Sequence, residues 1–295
     1  MNRNDFTSKT DCFTLANGVK IPCIGYGTWQ TPDGEMTQNC VETALRLGYR
    51  HIDTAFAYFN ERSVGAGIRK SGIPRDEIFV TTKHWVTERG YEKTIRAVEA
   101  SLENLGLDYI DLYLVHWPCV EKISPDWKEI NGDTWRAFEK MYKDGKLRAI
   151  GVSNYQAKHI DALWEMAEIK PMVNQIEFHP GYTQMENVRY MQEKGILVQA
   201  WSPLGSGALL GDETLCRIAG KYGKSSAQIC VRMALQCGVL PLPKSTKEDR
   251  ILSNGEVFDF TISGEDMETL LNMPLLGFSG FLPEDAPADA LCEQQ

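Results

Sequence analysis

The chain has 295 residues, 43% hydrophobic and 24% charged, a globular composition that excludes disordered and collagen-like classes. Its net charge of −9 argues against general nucleic-acid binding, which needs a basic footprint, but leaves room for a small anion held by a local basic cluster. The eight cysteines (Cys12, Cys23, Cys40, Cys119, Cys216, Cys230, Cys237 and Cys292) form no C-x-x-C pair, so zinc and dithiol motifs are not indicated and reduced thiols are expected.

The opening MNRNDFTSKTDCF has no apolar signal core, and no window approaches ~18 continuous apolar residues. A cytoplasmic protein without membrane partners is therefore the expectation. CFTLANGVKIP reads as a β-hairpin turning at Asn17-Gly18. Short apolar runs then alternate with amphipathic stretches. CIGYG precedes the helical MTQNCVETALRLG, and RHIDTA precedes ERSVGAGIRKSG. EIFVTTKHW precedes YEKTIRAVEASLENLG, where Ile95, Val98, Leu102 and Leu105 form one helix face. YIDLYLVHWP is followed by TWRAFEKMYKDG, a helix ended by Gly145. LRAIGVSN leads to YQAKHIDALWEMAE, MVNQIEFHP to the helix around ENVRYMQEKG, and ILVQAWSPLG to the last strand, VLPLPKS.

Eight strand-like runs, each followed by a helix, imply parallel strands joined by crossovers. The count favours a closed (β/α)8 TIM barrel, with the hairpin plugging its N-terminal mouth. With no linker and no charge block, one barrel domain spanning 1–295 is expected. The final LLGFSGFLPEDAPADALCEQQ has no period and reads as a tail packed over the surface near the site. Gly65-Ala66-Gly67 continues to Lys70 rather than a third glycine and lies within a helical stretch. It reads as helix packing, not a dinucleotide fingerprint.

Functional residues of such barrels sit at the C-terminal strand ends. Those ends are Gly27-Thr28-Trp29, then Asp53 with Tyr58 nearby, Lys83, His116-Trp117, Ser153-Asn154, Gln175, Trp201-Ser202 and Lys244-Ser245. Each has a structural alternative: Asp53 as a turn cap, Lys83 as a surface lysine, His116 as a satisfied histidine before Pro118, Tyr58 as a packed ring. Together they make chemical sense. A cationic Lys83 beside Tyr58 would stabilise the phenolate and lower its pKa from ~10, while Asp53 would keep Lys83 charged. His116 would donate to a substrate oxygen. The result is a general acid with its tuning partners.

DTAFAYFNERSVGAGIRKSGIPRDEIFVTTKHW, LYLVHWP, GVSNY, NQIEFHP, WSPLG and LPKST, in that order, resemble the aldo-keto reductase family from roughly Phe13 to Ser279. The WSPLG form is most similar to bacterial members related to 2,5-diketogluconate reductase. The resemblance implies a catalytic set of Asp53, Tyr58, Lys83 and His116, and hydride transfer from NAD(P)H to an aldehyde or ketone. It also implies that Ser153, Asn154 and Gln175 meet the nicotinamide amide and that Trp201 stacks on its ring. Gly27, Thr28 and Asp53 are expected beside the cofactor, and Ser202, Leu204 and Ser206 along the pyrophosphate. Lys244, Ser245, Thr246, Arg250 and Asn254 are expected at the adenosine end, with Ser253 standing where many members place Glu. The family resemblance implies a monomer.

Lys244, Lys247 and Arg250 form a basic patch in an acidic chain, and Arg250 can grip a phosphate bidentately. NADPH is therefore expected over NADH. Trp29, Trp85 and Trp117 are the expected substrate wall, together with Tyr58 and His116, and Phe281 is a further candidate. VEKISPDWKEINGD is expected as a lid loop whose Trp127 reaches substrate, and the short GSGALLGDET as an open cofactor flap. No metal is expected. Two other functions stay in view: a non-catalytic nucleotide sensor, and a metal-dependent isomerase using Asp53, His116, Glu177 and His179. Tight NADPH binding without turnover would mark the first, inhibition by a chelator the second.

Overall fold

The computed structural model describes residues 6–284. The chain begins with the antiparallel hairpin β1 (Cys12–Thr14) and β2 (Lys20–Pro22), closed by a left-handed Gly18. Asn17 donates to the Arg148 carbonyl, just ahead of a barrel strand, which places the hairpin at the N-terminal end of the barrel.

The barrel runs β3 (Tyr26–Gly27), α1 (Glu35–Arg46), β4 (His51–Asp53), α2 (Glu61–Lys70), β5 (Phe79–His84), α3 (Tyr91–Leu105) and β6 (Leu112–Val115). It continues with α4 (Trp127–Lys143), β7 (Ile150–Ser153), α5 (Ala157–Met166), β8 (Val173–Glu177), α6 (Met185–Glu193) and β9 (Leu197–Trp201). Two helices, α7 (Glu213–Tyr222) and α8 (Ser226–Gln236), precede β10 (Val239–Pro241), and α9 (Glu248–Asn254) and α10 (Gly264–Leu271) close the order.

Neighbouring strands from β3 to β10 pair in parallel and in sequence. Gly25 N donates to Pro241 O at 3.0 Å and Gly27 N to Pro243 O at 3.1 Å, closing the sheet into the expected (β/α)8 barrel. The strand interiors are nearly all buried, as sheets covered by helices require.

Gly65 and Gly67 do pack helices. A Cβ on Gly65 would lie 1.9 Å from Leu105 O, and one on Gly67 would lie 2.7 Å from Gln38 O, so α2 approaches its neighbours as only glycine allows. Two expectations are corrected. The segment after β6 is not a lid loop throughout, because α4 begins at Trp127 and its apolar face carries Trp135, Phe138 and Met141 into the core. Trp127 packs edge-on against His159, ring centres 5.6 Å apart, and does not line the cleft. α10, capped by Ser263 through Asp266 N, occupies a stretch given no helix by sequence.

The tail folds back over the C-terminal end of the barrel. Ser279 donates through its backbone N–H and its hydroxyl to the buried Glu177, at 2.9 and 2.7 Å. Glu284 pairs with Lys158 at 2.7 Å. Residues 285–295, including Cys292, lie outside the described residues; Cys12, Cys23, Cys40, Cys119, Cys216 and Cys230 are free thiols. Among the described residues no helix is long and apolar enough to cross a membrane.

Candidate active site

Strand parity builds the site. On β4, His51 and Asp53 point inward; on β5, Thr81 and Lys83 do the same one layer apart, and His51 meets Thr81 at 2.9 Å. The next layer up holds Asp53 and Lys83. The fully buried Lys83 Nζ donates to Asp53 Oδ1 at 2.6 Å, to Thr54 O at 2.8 Å and to the Tyr58 hydroxyl at 3.3 Å. Tyr58 ends a short turn after β4, and Phe59 beside it is left-handed. Asn60 pins that turn. Its side chain, with no exposed surface, accepts from Thr54 Oγ1 and donates to the carbonyls of Thr28 and Thr31.

Burial works against the Lys83 ammonium, but Asp53 and Tyr58 more than offset it, so its pKa lies above the ordinary value and the amine stays charged. Burial pushes the Asp53 carboxyl up, against the pull of Lys83 and Gln175. Tyr58 departs from the sequence expectation. Burial raises its phenol above the ordinary value, and the pull of Lys83 only partly offsets this. The phenol is thus a neutral donor rather than a resting phenolate. His116 is pushed well below its ordinary value, first by burial and then by Lys83 and His84, so it is neutral. Its Nδ1 is buried without a partner. An unmet acceptor is cheaper there than an unmet N–H, which puts the proton on Nε2, the nitrogen left to the cleft.

These groups open into a cavity of about 660 Å³. Trp29, Ala57, Trp85, Trp117 and Phe281 wall one part of it, with Tyr58 and His116 at its floor. Ring centres lie 5.8 Å apart for Tyr58 and His116 and 5.1 Å for Trp85 and His116. Ala57, Trp85, Val86 and Trp117 form an apolar cluster separate from the barrel core. The cavity continues past Trp201, Ser202, Leu204 and Ser206 to Lys244, Ser245, Thr246, Arg250, Ser253 and Asn254.

The expected nicotinamide contacts are tied to one another. Ser153 Oγ donates to Gln175 O at 2.7 Å. Asn154 is left-handed, and its Nδ2 donates to His116 O and Ser153 Oγ while its Oδ1 accepts from Trp201 Nε1 at 2.8 Å. Gln175 Nε2 donates to Asp53 Oδ2 at 2.8 Å and to Gln199 Oε1 at 2.9 Å. Three expected residues stand behind the cleft rather than in its wall: Lys83, Ser153, and Thr28, whose hydroxyl and N–H both turn to Asp53 O. Lys247 of the basic patch is also outside the lining.

Sequence reasoning missed Asn60, Gln199, Gln30 and the α8 start at Ser225 and Ala227, of which all but Asn60 and Gln199 line the cavity. Gln199 had a legible signal, a polar residue inside an apolar strand with the parity of Trp201. Ser225 and Ala227 had none, because tertiary folding alone brings α8 there. Among the described residues no group of three His, Cys, Asp or Glu side chains is placed to hold a metal ion.

A model of the aldo/keto reductase family matches residues 23–273. The chain belongs to that family. It is 51% identical over 264 residues to glyoxal reductase of Bacillus subtilis, covering 90% of this chain and 93% of that protein. It is 47% identical to the 9,11-endoperoxide prostaglandin H2 reductase of Trypanosoma cruzi, covering 88% and 90%. Among solved structures, a Bombyx mori aldo-keto reductase in complex with NADP superposes with a TM-score of 0.83 at 36% identity, covering 89% and 92%. The chain is an oxidoreductase of this family with its barrel fold.

Proposed function

We propose that this enzyme reduces aldehydes or ketones to alcohols with NADPH, using Tyr58 as the general acid. The observation that carries the reading is the 3.3 Å contact between the Tyr58 hydroxyl and the buried, charged Lys83, at the floor of a cleft walled by aromatic rings. The NADP and NADPH complexes among its structural relatives support the cofactor.

The chemistry of the donor set fits a nicotinamide. Every N–H of Asn154 and Gln175, and the hydroxyl of Ser153, is already spent within the protein. What remains free is acceptor capacity, on Gln175 Oε1 and on the second lone pair of Asn154 Oδ1. A carboxamide NH2 group brings two donors to meet it, and the Trp201 ring offers a π-face. Arg250 and Lys244 supply the cations for a 2′-phosphate. A reduced nicotinamide held there supplies the hydride.

The residues of this chain do the rest. Trp29, Trp85, Trp117 and Phe281 exclude water from the substrate end. Tyr58 and the Nε2–H of His116 both donate to the substrate oxygen, which polarises the carbonyl and orients it. As charge develops on that oxygen, Tyr58 gives up its proton. Lys83 stabilises the phenolate that results, and Asp53 holds Lys83 charged and in place. The WSPLG segment supports a place among bacterial members related to 2,5-diketogluconate reductase.

A panel of carbonyl compounds, followed by NADPH absorbance, tests the reading. Stoichiometric NADPH oxidation and alcohol formation are expected for some members of the panel. Tight NADPH binding with no oxidation by any carbonyl would favour a nucleotide sensor instead.

A further inference from the structure

Gln199 is buried on β9 with no exposed surface, two residues before Trp201, and the reaction above gives it no task. Its Oε1 accepts one N–H of Gln175, whose other N–H goes to Asp53. A carboxylate bound to Lys83 can only accept from Gln175, so the Gln175 nitrogen is turned inward and its oxygen toward the cleft. Gln199 must then present its own oxygen to Gln175. This leaves Gln199 Nε2 buried with no partner.

A buried orphan N–H destabilises a fold, and an apolar side chain of similar shape would remove this one while leaving the second N–H of Gln175 unmet in its place. What glutamine brings to this position is its contact with the Gln175 amide, at the cost of its own unpartnered nitrogen. We propose that Gln199 is a positioning residue for the nicotinamide end of the cofactor. By taking the second N–H of Gln175 it holds that amide with Oε1 facing the cleft, and it keeps the Gln175 nitrogen on Asp53. The cofactor contact and the Asp53–Lys83–Tyr58 device then share one rigid amide. The proposal rests on the reading that Gln175 meets the carboxamide.

The test compares dissociation constants for NADPH and for 2′-phospho-ADP-ribose, which lacks the nicotinamide, in wild type, Gln199→Leu, Gln199→Met and Gln175→Leu. Both Gln199 variants should bind NADPH about fivefold more weakly, the effect of one lost hydrogen bond. They should bind the fragment as wild type does, with a melting temperature close to wild type, because the orphan nitrogen of Gln199 is exchanged for one orphan N–H on Gln175. NADPH binding unchanged in the Gln199 variants but weakened in Gln175→Leu would overturn this proposal alone. Unchanged binding in Gln175→Leu would overturn the carboxamide reading and the proposal with it. Equal loss of both ligands in the Gln199 variants would make the residue merely structural, which also overturns it.

Discussion

Trp201 Nε1 donates to Asn154 Oδ1 at 2.8 Å, and the Nδ2 of the same amide donates to the carbonyl of His116 at 3.0 Å. The Trp201 ring is thereby tied, through one left-handed asparagine, to the turn carrying His116, which the proposed function makes the residue that orients substrate. Replacing Trp201 by Phe keeps a π-face and removes the indole N–H. NADPH binding should weaken by roughly three- to tenfold, the range of one hydrogen bond. Titration of the Trp201→Phe variant with NADPH checks this, and wild-type affinity would show that the anchor has no role.

Arg250 and Lys244 line the far end of the cleft, and the proposed function makes them the cations for a 2′-phosphate. Arg250→Ala should weaken NADPH by roughly 1.5–3 kcal/mol, the range for a charge-assisted hydrogen bond, and leave NADH nearly unchanged. Parallel KM measurements with the two cofactors decide it. Equal loss for both would remove the phosphate assignment.

Asn60 ties the strand-end turns after β3 and β4 together. Asn60→Ala strands the Thr28 and Thr31 carbonyls and the Thr54 hydroxyl. Urea unfolding should show a loss of about 2–4 kcal/mol. The turnover number should fall more than the KM for NADPH changes, because the turn that aims Tyr58 loosens. A variant with wild-type stability would contradict the role of the hub.

Buried neutral histidines set an acid limit on stability. Burial pushes His51 down to about 3 and His84 and His159 to about 4, and His116 also falls well below 6.5. In the unfolded chain they protonate near 6.5, so between that value and about 4 the unfolded state holds more protons. The stability they contribute is full above the unfolded value and is lost as pH falls, at up to about 1.4 kcal/mol per pH unit for each group. Asp53 and Glu61, both raised by burial, work the other way, two groups against four. The urea midpoint should therefore drop clearly from about pH 7 to about pH 5; equal midpoints would contradict the account.

Much of this molecule was legible in one dimension. Alternation of apolar strands and amphipathic helices gave the barrel, because parallel strands need crossovers. The strand-end rule gave Asp53, Lys83 and His116, and the period of Ile95, Val98, Leu102 and Leu105 gave α3. What escaped depended on partners distant in sequence. Asn60 looks like any turn asparagine until Thr28, Thr31 and Thr54 surround it. Trp127 looked like a lid residue because nothing local says that α4 begins there and turns the ring onto His159. The Tyr58 phenol was expected to be lowered by a neighbouring cation, a local inference. Its burial, a property of the whole barrel mouth, outweighs that cation.

Turnover by Tyr58→Phe tests the central claim most directly. The variant keeps the ring beside His116 and loses only the hydroxyl that faces Lys83. Its NADPH dissociation constant should stay within about twofold of wild type, while carbonyl reduction falls by roughly 10²–10⁴-fold, the range for losing a general acid. Reduction at or near the wild-type rate would contradict the account.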